Sequence, residues 1–280
     1  MKCRITTLSD NTAAGRPRGL LAEWGLSILV EADDIRVLLD TGASVSAVHN
    51  GDILGIDWPQ IDGIVLSHGH YDHTGGLRQI LTRINRPVKV VAHPSIFEAK
   101  YIQVCKDDTP GSIGMPHDRQ ELEELGAVFQ LTSEPLWLSK NMVTSGEIPM
   151  TTDYEAIDPG MYVGKDDAFL PDPLADDQAL FIKTDEGLVV VLGCAHRGAI
   201  NTLRHARKVT GVQSIHTAVG GMHLIRASEV QLELTIADLK EMGVRRLGVC
   251  HCTGMPASVR LANEFGQKFF FNNTGTTVTL

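Results

Sequence analysis

The stretch Ser67-His68-Gly69-His70-Tyr71-Asp72-His73-Thr74-Gly75-Gly76 constrains this chain more than any other. It sets three imidazoles and a carboxylate side by side, directly after the largely apolar run 61–66. Imidazole is a ligand for zinc and iron, and a carboxylate adds a hard oxygen donor. In an extended turn His68 and His70 face the same way and can share one metal. Asp72 and His73 follow where the chain bends toward a helix, so they can face a second. Two metals roughly 3.5–4 Å apart are a device for hydrolysing esters and phosphoesters.

Composition narrows the setting. A chain of 280 residues with 43% apolar residues lies within the range of one α/β domain. No stretch approaches the ~20 apolar residues of a membrane span. Residues 1–8 lack a signal-peptide core and read as a first strand, so a cytoplasmic location is expected. The formal charge of −9 argues against nucleic acid as a partner, because such binding relies on Lys and Arg neutralising phosphates. A small anionic substrate remains compatible, since a pair of dications dominates the local field. The oligomeric state is left open. Cys3, Cys105, Cys194, Cys250 and Cys252 form no disulfide framework, and Cys3, Cys105 and Cys250 read as buried thiols.

Two segments look like relatives. Apolar runs at 26–32 and 35–39, joined by a turn at Asp33-Asp34, lead into Asp40-Thr41-Gly42. Runs at 179–183 and 188–192 lead into Gly193-Cys194-Ala195-His196. This pseudo-repeat predicts two βα halves facing each other, with polar loops meeting along one edge. Helices are expected at 199–208, after the capping box Ser228-Glu229-Val230-Gln231, and at 256–265. Strands are expected at 64–66, 88–92, 215–219 and 247–250. The region 94–177 reads as a lid-like insertion. It should open with a short helix at Pro94 and cover the site with Tyr154, Tyr162 and Phe169.

Three further histidines sit in glycine-containing loops at strand ends. They are Gly193-Cys194-Ala195-His196, Gly220-Gly221-Met222-His223 and His251-Cys252-Thr253-Gly254. With the first motif, Leu38-Leu39-Asp40-Thr41-Gly42 and Gly146-Glu147-Ile148-Pro149, they occur in the order of one known family. The chain resembles the metallo-β-lactamase-fold superfamily. Within it, the chain is similar to the branch of dihydropterin–ribofuranosylaminobenzene 5′-phosphate synthase-like proteins. The resemblance implies an α/β fold, an αββα four-layer sandwich, in a single domain spanning 1–280.

It also implies roles. His68 and His70 would hold a first metal, completed by His196. Asp72, His73 and His251 would hold a second. Asp40 would orient the histidine loop by hydrogen bonding. The ions would be two divalent metals, zinc first, with iron or manganese as alternatives. Many relatives carry a bridging aspartate where Cys194 stands here. Cys194 is either a thiolate ligand or packing, and the reading adopted takes His196 as the ligand and Cys194 as packing. Without a carboxylate bridge the second metal should be the weaker one.

The implied activity is that of a hydrolase using a metal-bound hydroxide on a small phosphodiester or phosphorylated, pterin-like substrate. Asp72 and His223 are the candidate catalytic residues. Asp72 would orient the nucleophile, and His223 with the Gly220-Gly221 amides would hold an anionic oxygen. The competing readings are an iron-dependent oxidoreductase on the same fold and a non-catalytic ligand-binding module. The remaining histidines, His49, His93, His117, His205 and His216, are read as structural.

Overall fold

In the computed structural model, which describes residues 2–33, 35–105, 108–165 and 168–280, two large sheets face each other. The first is seven-stranded. From one edge to the other it runs Thr277–Thr279, Cys3–Ser9, Ser27–Ala32, Ile35–Leu39, Gly63–Val65, Val88–Ala92, Ala127–Leu131. The second is six-stranded and runs Phe269–Phe271, Arg246–Cys250, Ile215–Gly221, Gly187–Leu192, Ala179–Thr184, Met142–Thr144. Asp34 of the first predicted turn lies outside the described residues.

Alternation along the strands builds the layers. Side chains on a strand point to opposite faces in turn. Val189 and Val191 enter an apolar cluster between the sheets, with Val30, Leu39, Val65 and Val91 from the other sheet. Leu188, Val190 and Leu192 point outward, onto Leu203, Ile236 and Leu261 of the helices Ala199–Thr210, Glu229–Glu241 and Met255–Phe265. On the opposite side Leu29, Leu38 and Ile64 pack against Ala47, Leu77 and Leu81 of Ser46–Ile53 and Leu77–Ile84. The result is the four-layer αββα sandwich. Strands buried on both faces must read as continuous apolar runs, which explains why these segments were legible.

Helix ends follow their local chemistry. Ser228 caps Glu229–Glu241 by accepting the Gln231 N–H at 3.1 Å, as the capping box predicts. The helix Ala199–Thr210 ends on Gly211, in the left-handed region at φ 74°.

The 94–177 region departs from its reading. It does not leave the sandwich as one block. The helix Arg119–Glu124 and strand Ala127–Leu131 belong to the first sheet's side, and Met142–Thr144 is an edge strand of the second. Only Lys100–Ile102, Gly111–Ser112, Met161–Lys165 and Ala168–Pro171 form a separate small sheet. Pro94 opens a run of turns, not a helix. Of the three aromatics expected over the site, Tyr154 donates from its hydroxyl to Asp238 and packs toward the outer helices. Tyr162 and Phe169 stack edge to face within the small sheet. Cys105, read as buried, is exposed.

Candidate metal centre

The strands Ile35–Leu39, Gly63–Val65 and Val88–Ala92 are parallel, as are Gly187–Leu192, Ile215–Gly221 and Arg246–Cys250. Each candidate loop leaves the C-terminal end of one of these strands. In α/β sheets this is the edge at which ligands bind, because the chain must turn there into a loop or helix. Residues from both halves therefore meet on one rim.

The first motif is held by close packing that needs its glycines. A Cβ at Gly76 would lie 2.0 Å from the Thr41 carbonyl oxygen, and one at Gly75 would lie 2.1 Å from that of Ala43. The Gly-Gly pair thus lets the turn Tyr71–Thr74 sit directly on the Asp40-Thr41-Gly42 loop, where Thr41 N–H donates to the His73 carbonyl at 2.8 Å. Asp40 does what the resemblance implied. Its carboxylate accepts the Ser67 N–H and hydroxyl, both at 2.7 Å, and faces His73 Nδ1 at 2.6 Å.

Six expected ligands converge, in two groups. His68 Nε2 lies 3.0 Å from His70 Nδ1 and 3.2 Å from His196 Nε2. His73 Nε2 lies 3.2 Å from His251 Nε2, and Asp72 Oδ2 lies 3.3 Å from His251 Nε2. Zinc–nitrogen bonds of ~2.0–2.1 Å in a tetrahedron put two imidazole nitrogens about 3.3 Å apart, so the spacing fits a shared ion. Partners on the far nitrogens fix the rings of His68, His73 and His251. Ser67 Oγ holds His68 Nδ1 at 2.9 Å, and Asn11 Oδ1 holds His251 Nδ1 at 3.0 Å. The reacting nitrogens are left facing one another.

Cys194, read as packing, is buried among the candidate ligand atoms. Its sulfur lies 3.1 Å from His73 Nε2. It also falls within 4.8 Å of the ligand atoms of three sets: His68 with His196, His73 with His251, and His223 with Cys252. The thiol thus lies close to both groups. The resemblance had offered a signal, since it implied a ligand position at Cys194.

Burial and neighbouring charges pull these groups in opposite directions. Burial, with help from neighbouring imidazoles, holds His68 and His196 well below the usual histidine range. Burial likewise lowers His70 to about 3, against the pull of Asp72. All three present lone pairs at neutral pH. Burial also acts on His73, but Asp40 and Asp72 outweigh it and raise its pKa to about 9. Burial would raise Asp72, yet His73, His251 and His70 together hold it low.

His223 stands beside the cluster, its ring 4.0 Å from that of His196. Its Nε2 meets Asp158 Oδ2 at 3.1 Å, while its Nδ1 is buried without a protein partner. Burial disfavours its charge, but Asp158 and Cys252 outweigh that and raise its pKa to about 10. The Gly220-Gly221 anion nest does not form, because the Gly221 N–H donates to the Gly193 carbonyl at 3.0 Å. Asp40, Ala195, His223 and His251 all have positive φ, so backbone strain gathers in these loops.

A cavity of about 310 Å³ opens over the groups, walled by Trp24, Tyr71, Ile102, Met161, His223 and Arg226. Trp24, Asp158 and Arg226 carried no recognisable motif. His49, His117 and His205 bond to backbone carbonyls, while His93 and His216 pair with Glu147 and Glu186.

A family model described as the metallo-beta-lactamase superfamily matches residues 25–135. A 7,8-dihydropterin-6-methyl-4-(beta-D-ribofuranosyl)-aminobenzene-5′-phosphate synthase of Methanocaldococcus jannaschii is 32% identical over 95% of this chain and 92% of its own. The chain belongs to the metallo-beta-lactamase superfamily. A solved structure described as a metal-dependent hydrolase of the beta-lactamase superfamily superposes with TM-score 0.83 at 29% identity, covering 99% and 98% of the two chains. The fold protein YhfI of Bacillus subtilis, at 12% identity, covers both chains fully with TM-score 0.59 and shares the fold. Superfamily membership accounts for the two facing halves. Among the described residues no helix is long and apolar enough to cross a membrane.

Proposed function

We propose that the protein is a metal-dependent hydrolase acting on a small phosphodiester or a phosphorylated, pterin-like substrate. The observation that carries this reading is the convergence of His68, His70 and His196, and of Asp72, His73 and His251, with the Cys194 sulfur close to His68, His196, His73 and His251. Imidazole, thiolate and carboxylate together suit two divalent ions, zinc before iron or manganese. Bound there, such ions would lower the pKa of water toward ~7 and polarise an ester oxygen.

The chain's own residues supply the rest. Protonated His223, held by Asp158, offers positive charge and an N–H to an anionic oxygen. Arg226 adds a second cation at the cavity wall. Asp72, where it is free of a ligand role, orients the attacking water. Trp24 and Tyr71 offer flat faces to a ring system such as a pterin. The name of the Methanocaldococcus jannaschii relative supports a phosphorylated pterin-type substrate.

The test is a screen of zinc-, iron- and manganese-loaded protein against phosphodiesters, cyclic phosphates, thioesters, lactones and β-lactams. Turnover of phosphoesters, with little on β-lactams or duplex DNA, is the expected result. Hydrolysis of lactones or thioesters without any phosphoester would overturn the substrate class.

A further inference from the structure

A second cavity, about 400 Å³, is lined in part by His251, one of the candidate metal ligands. The two cavities share three walls: Trp24, Ile225 and His251. The Trp24 ring lies 5.1 Å from the His251 ring, so one aromatic side chain faces both spaces. Ile225 is fixed beside it. Its N–H donates to the Cys252 carbonyl, and Gly254, with no Cβ, lets the chain approach to within contact of Ile225.

The chemistry of this second space differs from that of the first. Its polar side chains are engaged within the chain. Asp10 Oδ1 accepts the His251 N–H at 2.8 Å, and Oδ2 accepts the Thr12 hydroxyl at 2.8 Å. Asn11 spends its amide on the His251 carbonyl and its oxygen on the His251 ring. Ser258 donates to the Gly254 carbonyl. Among the described residues, no lysine or arginine lines the space. What it offers a visitor is apolar surface: Trp24, Ile225, Met255 (61% exposed) and Phe271 (43% exposed). Large apolar side chains gathered in the open around a concavity are the usual mark of a ligand site.

We propose that this second cavity is a subsite for an uncharged apolar or aromatic arm of the substrate whose reacting group lies among the metal ligands. The inference rests on the hydrolase reading for the position of the reacting group. The arm itself is argued from the shared walls and the apolar lining. The substrate is then an amphiphilic anion. Its charged end meets His223 and Arg226, and its apolar end passes Trp24 and Ile225 to rest on Met255 and Phe271.

Two measurements test this. The first is binding of the neutral fluorophore N-phenyl-1-naphthylamine, followed by its emission, in wild type, Met255→Asp and Phe271→Ser. Met255 is exposed at the start of its helix, where an acidic residue suits the helix dipole, so the fold is retained. Saturable one-site binding, weakened at least about tenfold in both variants, is expected. No binding, or equal binding in the variants, overturns the subsite whatever the protein's reaction.

The second compares methyl and hexyl 4-nitrophenyl phosphate on zinc-loaded protein. The ratio of kcat/KM, hexyl over methyl, should rise about twofold or more per methylene and collapse toward one in Met255→Asp. Turnover of both esters with a flat ratio in wild type overturns the link between the cavities. No turnover of either removes the phosphodiester reading, and the fluorophore experiment then decides the subsite alone.

Discussion

Lys100 is a fully buried lysine, and its replacement gives a sharp test of how the first ligand loop is held. Its ammonium lies 2.8 Å from Asp172 and 2.9 Å from Asp176, each carboxylate itself nearly inaccessible. Asp176 turns its other oxygen to the Gly69 N–H at 2.8 Å, between His68 and His70. Lys100→Met keeps much of the volume and strands two buried carboxylates. Breaking a buried pair in this way costs about 3–5 kcal/mol. With an unfolding entropy near ~2.1 cal/mol/K per residue, that lowers the melting temperature by about 5–9 °C.

The pH dependence identifies the cause. Burial lowers the pKa of Lys100, but Asp176 and Asp172 outweigh it and raise it above the ordinary lysine value. A raised lysine contributes fully below its unfolded pKa and loses that contribution only as pH rises through the folded one, so it adds no slope between pH 5 and 8. Asp176 is already raised by burial, and loss of its cation raises it further. A raised carboxylate costs stability above its folded pKa and is relieved as pH falls below it. The deficit of Lys100→Met should therefore be largest at pH 8 and shrink toward pH 5. The assay is thermal melting of metal-free wild type and variant at both pH values, with Lys100→Met/Asp176→Asn recovering part of the loss. An equal deficit at pH 5 and pH 8, with no recovery in the double variant, would refute the buried-charge argument.

Other outcomes follow from the centre. Cys194→Ala should lower metal content by elemental analysis while Cys194→Asp restores it; unchanged content in Cys194→Ala returns the thiol to packing. His251→Ala should reduce bound metal and abolish turnover, and full metal content with full activity would remove it from the ligand set. His223→Ala should keep both metals and lose about 10²–10³ in kcat, the ~2.7–4 kcal/mol typical of one positioned donor. Metal loss matching that of His68→Ala would make His223 a ligand instead.

The centre was legible wherever chemistry was written in neighbouring residues. His68, His70, Asp72 and His73 lie within one turn and a short helix, so local geometry alone brings them together. Continuous apolar runs such as 188–192 announced strands buried on both faces, and the doubled hairpin announced two facing halves. The capping serine and the closing glycines of the helices acted through contacts only a few residues long. Interactions across the chain decided the rest. The approach of Cys194 to the candidate ligands depends on how Gly193 packs on Ser67, where a Cβ would come within 2.3 Å of the hydroxyl. The buried triad of Lys100, Asp172 and Asp176 joins residues more than seventy positions apart, and no local pattern marks it. The 94–177 region looked like one lid because its composition is irregular, yet Ala127–Leu131 and Met142–Thr144 find partners only when the two sheets assemble. Asn11 and Trp24 come from the connection between Cys3–Ser9 and Ser27–Ala32 and Ile225 from the loop after Ile215–Gly221, so the walls around His251 exist only once the two halves have closed on each other.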